Sequence, residues 1–125
     1  MSRVLLSLLF CSASACCHGS PVAKIPWFAG FWQLTSDEDG SPYGYDLNEF
    51  RADGRYVIYG PNCEQSFASY HVYNENIYIT FDVPGKGPIA MISPTKDHRK
   101  LIYTSPRTRN NAGYERDLSP KCRGK

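Results

Sequence analysis

From residue 28 onward, short runs rich in Val, Ile, Tyr, Phe and Thr alternate with clusters of Gly, Pro, Asn and Asp. β-Branched and aromatic residues suit a pleated, half-buried surface, and the intervening residue types set turns. The pattern predicts strands over about 28–35, 44–51, 55–59, 67–73, 77–83, 89–93, 100–104 and 112–118. The clearest alternation lies in 77–83, where Ile77, Ile79, Phe81 and Val83 share one face. The breaks are equally explicit at Ala52-Asp53-Gly54, Gly60-Pro61-Asn62, Asn74-Glu75-Asn76 and the stretch from Pro84 to Pro88. No segment sustains a helical period. Eight short strands with mostly short connections predict an all-β fold, an antiparallel up-and-down barrel of about eight strands, because closure removes exposed edges. Such a barrel is narrow: side chains fill it, or it holds one small ligand. Strands this short point to a mostly filled interior.

The first residues follow a different pattern. Arg3 precedes the apolar run 4–10, and Ala13-Ser14-Ala15 has the small-x-small spacing that signal peptidase needs. The run is shorter than the roughly 20 residues of a membrane-spanning helix. Two cleavage sites compete. Cutting after Gly19 makes 1–19 a signal peptide, 20–27 an extended leader interrupted by Pro21 and Pro26, and 28–125 a single barrel domain. Cutting after Ala15 makes 1–15 a lipoprotein signal and leaves Cys16 as a lipidation site. Ala13-Ser14-Ala15-Cys16 resembles a bacterial lipobox with Ala where Leu is usual. Either route exports the chain to the periplasm or beyond, with membrane attachment only through the lipid.

Cysteine parity bears on both the cleavage and the fold. The later cut removes Cys11, Cys16 and Cys17 and leaves Cys63 with Cys122, an even pair suited to an oxidising compartment. Cys63 falls between the third and fourth predicted strands and Cys122 in the tail after the last, so in a meander they start at opposite ends. The five steps from Asp117 to Cys122 span about 16 Å at about 3.3 Å each, enough for the tail to return along the barrel wall. Cys17 remains an alternative partner if cleavage follows Ala15.

At 125 residues the chain makes one domain, and its net charge of +2 is modest. The charge is unevenly spread: residues 20–82 carry nine acidic and three basic side chains, and residues 83–125 carry three and ten. Such asymmetry either steers a charged partner or is a solvated dipole. No nucleic-acid-binding motif is present, and nucleic acid is not expected as a partner of an exported chain.

Phe28-Ala29-Gly30-Phe31-Trp32-Gln33-Leu34 contains a Gly-x-Trp motif on the first predicted strand, and Arg116 lies on the last. Gly30, Trp32 and Leu34 share one strand face, as do Tyr114 and Arg116. In these features the chain resembles the lipocalin and fatty-acid-binding (calycin) barrels, and a bacterial lipocalin-like domain in particular. The resemblance implies a buried Trp32 with Arg116 packed across it, a loop-to-tail disulfide and a binding role. The chain is shorter than a typical lipocalin and lacks the family's Thr-Asp-Tyr motif, which argues against a deep cup. The candidate ligand-binding residues are Trp32, Tyr56, Tyr70, Tyr114 and Arg116.

Catalytic and metal chemistry find little support. His18, His71, His98, Cys63 and Cys122 lack zinc-type spacing, and no nucleophile elbow or phosphate-binding glycine loop occurs. Asp37-Glu38-Asp39 reads as solvated charge or a weak calcium contact. No enzyme activity, metal or cofactor is expected. Tyr56, Tyr59, Tyr70, Tyr73 and Tyr78 are ordinary strand composition or a tyrosine-rich docking face. The expected function is a small exported binding module that holds a small apolar ligand, or none, in the barrel. The alternative is a periplasmic inhibitor or immunity protein that blocks an enzyme or toxin by protein contact. For that alternative, Asn111-Ala112-Gly113-Tyr114 resembles the Ser-Gly-x-x-Tyr loop of small bacterial lysozyme inhibitors.

Overall fold

A computed structural model describes residues 25–40, 46–81 and 90–124. The predicted signal, with Cys16 and Cys17, lies outside the described residues, as does most of the leader. Eight strands follow in order: β1 (Gly30–Asp37), β2 (Leu47–Phe50), β3 (Arg55–Tyr59), β4 (Gln65–Tyr73), β5 (Asn76–Thr80), β6 (Ala90–Pro94), β7 (Lys100–Thr104) and β8 (Asn111–Arg116). Each pairs antiparallel with its sequence neighbour, and β8 pairs with β1, so the sheet closes into the expected up-and-down barrel.

The strand limits shift where tertiary contacts outweigh local composition. The first strand starts at Gly30 rather than 28, because Trp27 and Phe28 form a turn closed by Ala29 N–H donating to the Pro26 carbonyl at 3.0 Å. Gly30 then takes a φ of +122°, and a Cβ there would lie 3.0 Å from Arg116 Nη1. Both the backbone conformation and the close approach call for glycine. At its other end β1 runs through Asp37, past a bulge that shifts the register between Leu34 and Ser36. The fourth strand begins at Gln65, two residues before the expected start, because Gln65 pairs with Tyr59. The fifth strand ends at Thr80, so Phe81 lies beyond its ladder.

Inside the barrel, Trp32, Phe50, Ile77, Ile79 and Leu101 are fully buried, and Phe28, Tyr56, Ala68 and Ile92 complete the packed core. The two ends differ. At the end where β1 begins, the Trp27–Phe28 turn plugs the barrel. The Phe28 ring meets Phe50 and Tyr70 edge-on at 5.2 and 5.4 Å, and its carbonyl accepts the Trp32 indole N–H at 2.8 Å. Across the opening Trp27 stacks on His98, with ring centroids 4.0 Å apart. Arg116 seals this end. Its guanidinium lies 4.7 Å from the Trp32 ring, and its nitrogens donate to the carbonyls of Ala29 and Trp27 at 2.8 and 2.7 Å.

A second apolar cluster sits on the outside of the wall. Phe31, Leu47, Val57 and Tyr59 point away from the barrel axis yet are buried together with Cys122. The covering is the C-terminal tail, which turns back after β8 with Asp117 N–H donating to the Phe31 carbonyl at 2.9 Å. The Cys63–Cys122 disulfide fastens it, and Lys121 Nζ donates to the Pro61 carbonyl at 3.3 Å. The tail thus follows the wall from one end to the other, as the reach of its residues requires.

The tyrosines do not form one docking face. Tyr56 and Tyr70 point inward, while Tyr59, Tyr73 and Tyr78 point outward, and the tail covers Tyr59. The acidic run 37–39 is not simply solvated charge. Asp39 accepts hydrogen bonds from Asn110 Nδ2 at 2.7 Å and Thr108 Oγ1 at 2.8 Å, and Glu38 accepts the Asn111 N–H at 2.6 Å. The bonds from Asn110, the larger cause, and Thr108 hold the Asp39 carboxyl below its ordinary value, and all three bonds tie the residues after β1 to those at the start of β8. The Asn111–Tyr114 run is no protruding inhibitor loop: all four of its residues pair with β7.

Candidate functional site

Opposite the plug, the barrel opens into a cup of about 190 Å³. One side of its lining is apolar: Ile58 from β3, Ile79 from β5, Phe81 just past it, and Ala90 and Ile92 from β6. Strand alternation puts these residues inward, because Ile79 pairs with Ala90 across the β5–β6 ladder and Ile77 with Ile92. The other side carries the polar groups, Asp46, Asn48, Tyr56, Tyr103 and Tyr114. The floor is the packed core. A gap of only about 10 Å³ lies beneath, bordered by Trp32, Phe50 and Leu101. The interior is therefore filled in its lower part and open in its upper part.

The polar side is organised around Tyr114. Its hydroxyl donates to Asp46 Oδ2 at 2.9 Å. Burial is the chief cause that pushes the phenol far above its ordinary value, and the charge of Asp46 adds to it. A hydrogen bond from the Asn48 side chain acts in the opposite sense without reversing the shift. Tyr56 is pushed well up in the same way, by burial first and then by Tyr114 and Asp46. Both phenols therefore stay protonated through the ordinary pH range. The cup presents neutral hydroxyls, one buried amide and one carboxylate.

Of the five residues that the sequence nominated for ligand contact, Tyr56 and Tyr114 line the cup. Trp32 lies under the floor, 1% exposed. Tyr70 is at the plugged end, where its hydroxyl donates to the Arg51 carbonyl at 2.5 Å, and Arg116 caps Trp32 from that same end. Comparison of the chain with protein-family models, with curated proteins and with solved structures gave no match. The likeness to calycin barrels consequently rests on this chain's own features: eight strands in meander order, a closed end plugged by the residues before β1, and the Trp32–Arg116 pair.

Sequence reasoning missed Asp46 and Asn48. They lie at the start of β2, where Asn48 is buried although strand position alone gives an asparagine no reason to be inside. The available signal was parity: Asn48 and Phe50 share a face, and Phe50 is a core residue. Among the described residues no group of three or more His, Cys, Asp or Glu side chains is placed to hold a metal ion.

A larger cleft of about 610 Å³ lies outside the plugged end, lined by Trp27, Val72, Glu75, Pro94, Lys96 and His98 among others. Its walls are turns and an exposed strand end. Phe28 and Ile77, both of the packed core, form its inner side.

Proposed function

We propose that this chain is an exported, lipocalin-like binding module that holds one small, largely apolar ligand in the cup and performs no chemistry on it. The observation that carries this reading is the cup itself, with five apolar side chains facing a few convergent polar groups, the usual composition of a small-molecule site. Its volume of about 190 Å³ is below the roughly 300–1,000 Å³ of sites for drug-sized ligands. It is close to that of an engineered apolar cavity of about 150 Å³ that binds benzene. The occupant is accordingly a molecule of about ten heavy atoms, not a long-chain lipid. The Tyr114 hydroxyl donates its hydrogen bond to Asp46, so the protonated Tyr56 phenol is the hydrogen-bond donor that orients such a ligand, and neither phenol is a base that would attack it.

Benzyl alcohol is a suitable probe. Titration into the mature protein is expected to give saturable binding by NMR shift changes. Replacing Ala90, at the cup wall, with tryptophan should fill the space and abolish that binding while the melting temperature and the remaining spectrum stay close to those of the parent. An Ala90→Trp variant that binds as the parent does would move the ligand out of the cup.

Export belongs to the same proposal and draws support from the Cys63–Cys122 bond, since disulfides persist in oxidising compartments. A reporter enzyme that requires oxidation, fused after residue 26, is expected to become active. Retention of Met1 in the mature protein would refute export.

A further inference from the structure

The cup has a chemical bias beyond its size. Among its described lining residues Asp46 is the only one with a formal charge. Three tyrosine rings, Tyr56, Tyr103 and Tyr114, and the ring of Phe81 line the same space. The ion pairs among the described residues are Arg51–Glu49 and Arg55–Asp53, and neither reaches Asp46. A carboxylate offers about four lone-pair sites, of which the Tyr114 hydroxyl takes one. The negative field in the cup also has a second source: Asp37, facing Ala112 at the β1–β8 ladder, adds its charge to that of Asp46 in holding the proton on Tyr114.

The three classes of occupant fare differently in this surrounding. An anion would meet the Asp46 carboxylate, with the Asp37 charge behind it. A neutral apolar molecule that filled the cup would strip water from Asp46 and return nothing, which is costly for a carboxylate. A cation compensates that charge directly, and aromatic faces add to the attraction through their quadrupoles.

We propose, on the basis of the cup reading above, that the ligand carries a protonated ammonium group on a small apolar body. The ammonium sits against Asp46 and the tyrosine rings, and the body lies against Ile58, Ile79 and Ile92. The carboxylate then selects among ligands of equal size by charge.

Benzylamine, protonated at neutral pH, and benzyl alcohol form a near-isosteric pair that separates charge from shape. Calorimetric titration of the mature, disulfide-intact protein is expected to show the amine binding at least tenfold more tightly than the alcohol. In Asp46→Asn the ratio of the two affinities, measured on that variant, should fall to about one. Equal affinities in the parent protein would overturn the charge selection and leave the cup reading standing. A tenfold preference that survives in a folded Asp46→Asn variant would remove Asp46 from the proposal. Failure of both probes to bind would overturn the inference together with the cup reading.

Discussion

Trp32→Ala is expected to lower folding stability by about 3–5 kcal/mol, the range for deleting a large aromatic from a packed core. A domain of this size has about 5–15 kcal/mol in total, so the variant will be partly unfolded at ambient temperature if the parent is near the lower limit. Several losses coincide at one residue. The indole is 1% exposed and its N–H is the donor to the Phe28 carbonyl, so truncation opens a cavity and orphans an acceptor in the plug. Arg116 loses the ring beneath its guanidinium and retains only the carbonyls of Ala29 and Trp27. Trp32→Phe should recover part of the stability, because it restores ring volume without the N–H donor. Urea unfolding of the three proteins checks the order, parent above phenylalanine above alanine. An alanine variant within about 1 kcal/mol of the parent, well below the cost of a core truncation, would mean that Trp32 does not close the barrel.

Breaking the disulfide is expected to be nearly as costly. Cys63 and Cys122 are separated by 59 residues, and the chain-entropy model assigns about 4 kcal/mol to closing a loop of that size. In a domain of this length that amounts to roughly 15–30 °C in Tm. The bond also holds the tail over Phe31, Leu47, Val57 and Tyr59, so its loss exposes an apolar patch on the outer wall. Cys122→Ser, or the parent in reductant, should therefore melt lower and bind a hydrophobic dye on that wall. Ligand binding in the surviving folded protein should persist, because the cup lining lies on the inner faces of the strands. Calorimetry with and without reductant makes the comparison, and an unchanged Tm would show that the tail stays docked without its covalent tie.

The barrel was legible because its signals are local and repeated. Ala52-Asp53-Gly54 and Asn74-Glu75 sit at tight turns, with Gly54 and both turn residues 74 and 75 at positive φ. The alternation in Ile77 and Ile79 agrees with the inner face of β5. The Gly30–Trp32–Arg116 set was readable through its resemblance to the calycin barrels, and the structure gives each residue a physical use: a positive φ, a buried ring and a capping cation. What escaped the sequence depends on contacts distant along the chain. Val57 and Tyr59 alternate as outward residues should, and they are buried only because a tail some 60 residues later is fastened over them. Trp27 ends the expected leader and Phe28 opens the expected first strand, yet both fold in as the plug because Trp32 and Tyr70 leave an aromatic-lined opening for Phe28.

The candidate site was half legible for a related reason. Tyrosines attract attention by type, but which end of the barrel a tyrosine faces depends on register. Tyr56 on β3 and Tyr70 on β4 both point inward, yet Tyr56 reaches the cup and Tyr70 the plug. Asp46 passed unnoticed within the predicted strand over 44–51. Its part in the cup comes from Tyr114, 68 positions later, which strand closure brings within hydrogen-bonding distance.

The most direct test of the account is to locate a bound probe. Intermolecular NOEs from the ring protons of benzyl alcohol should connect to the methyl groups of Ile79 and Ile92 and to the ring of Tyr114, all within the cup. NOEs confined to Trp27, Val72 and His98, in the cleft outside the plugged end, would contradict it and make the barrel a scaffold that binds on its surface.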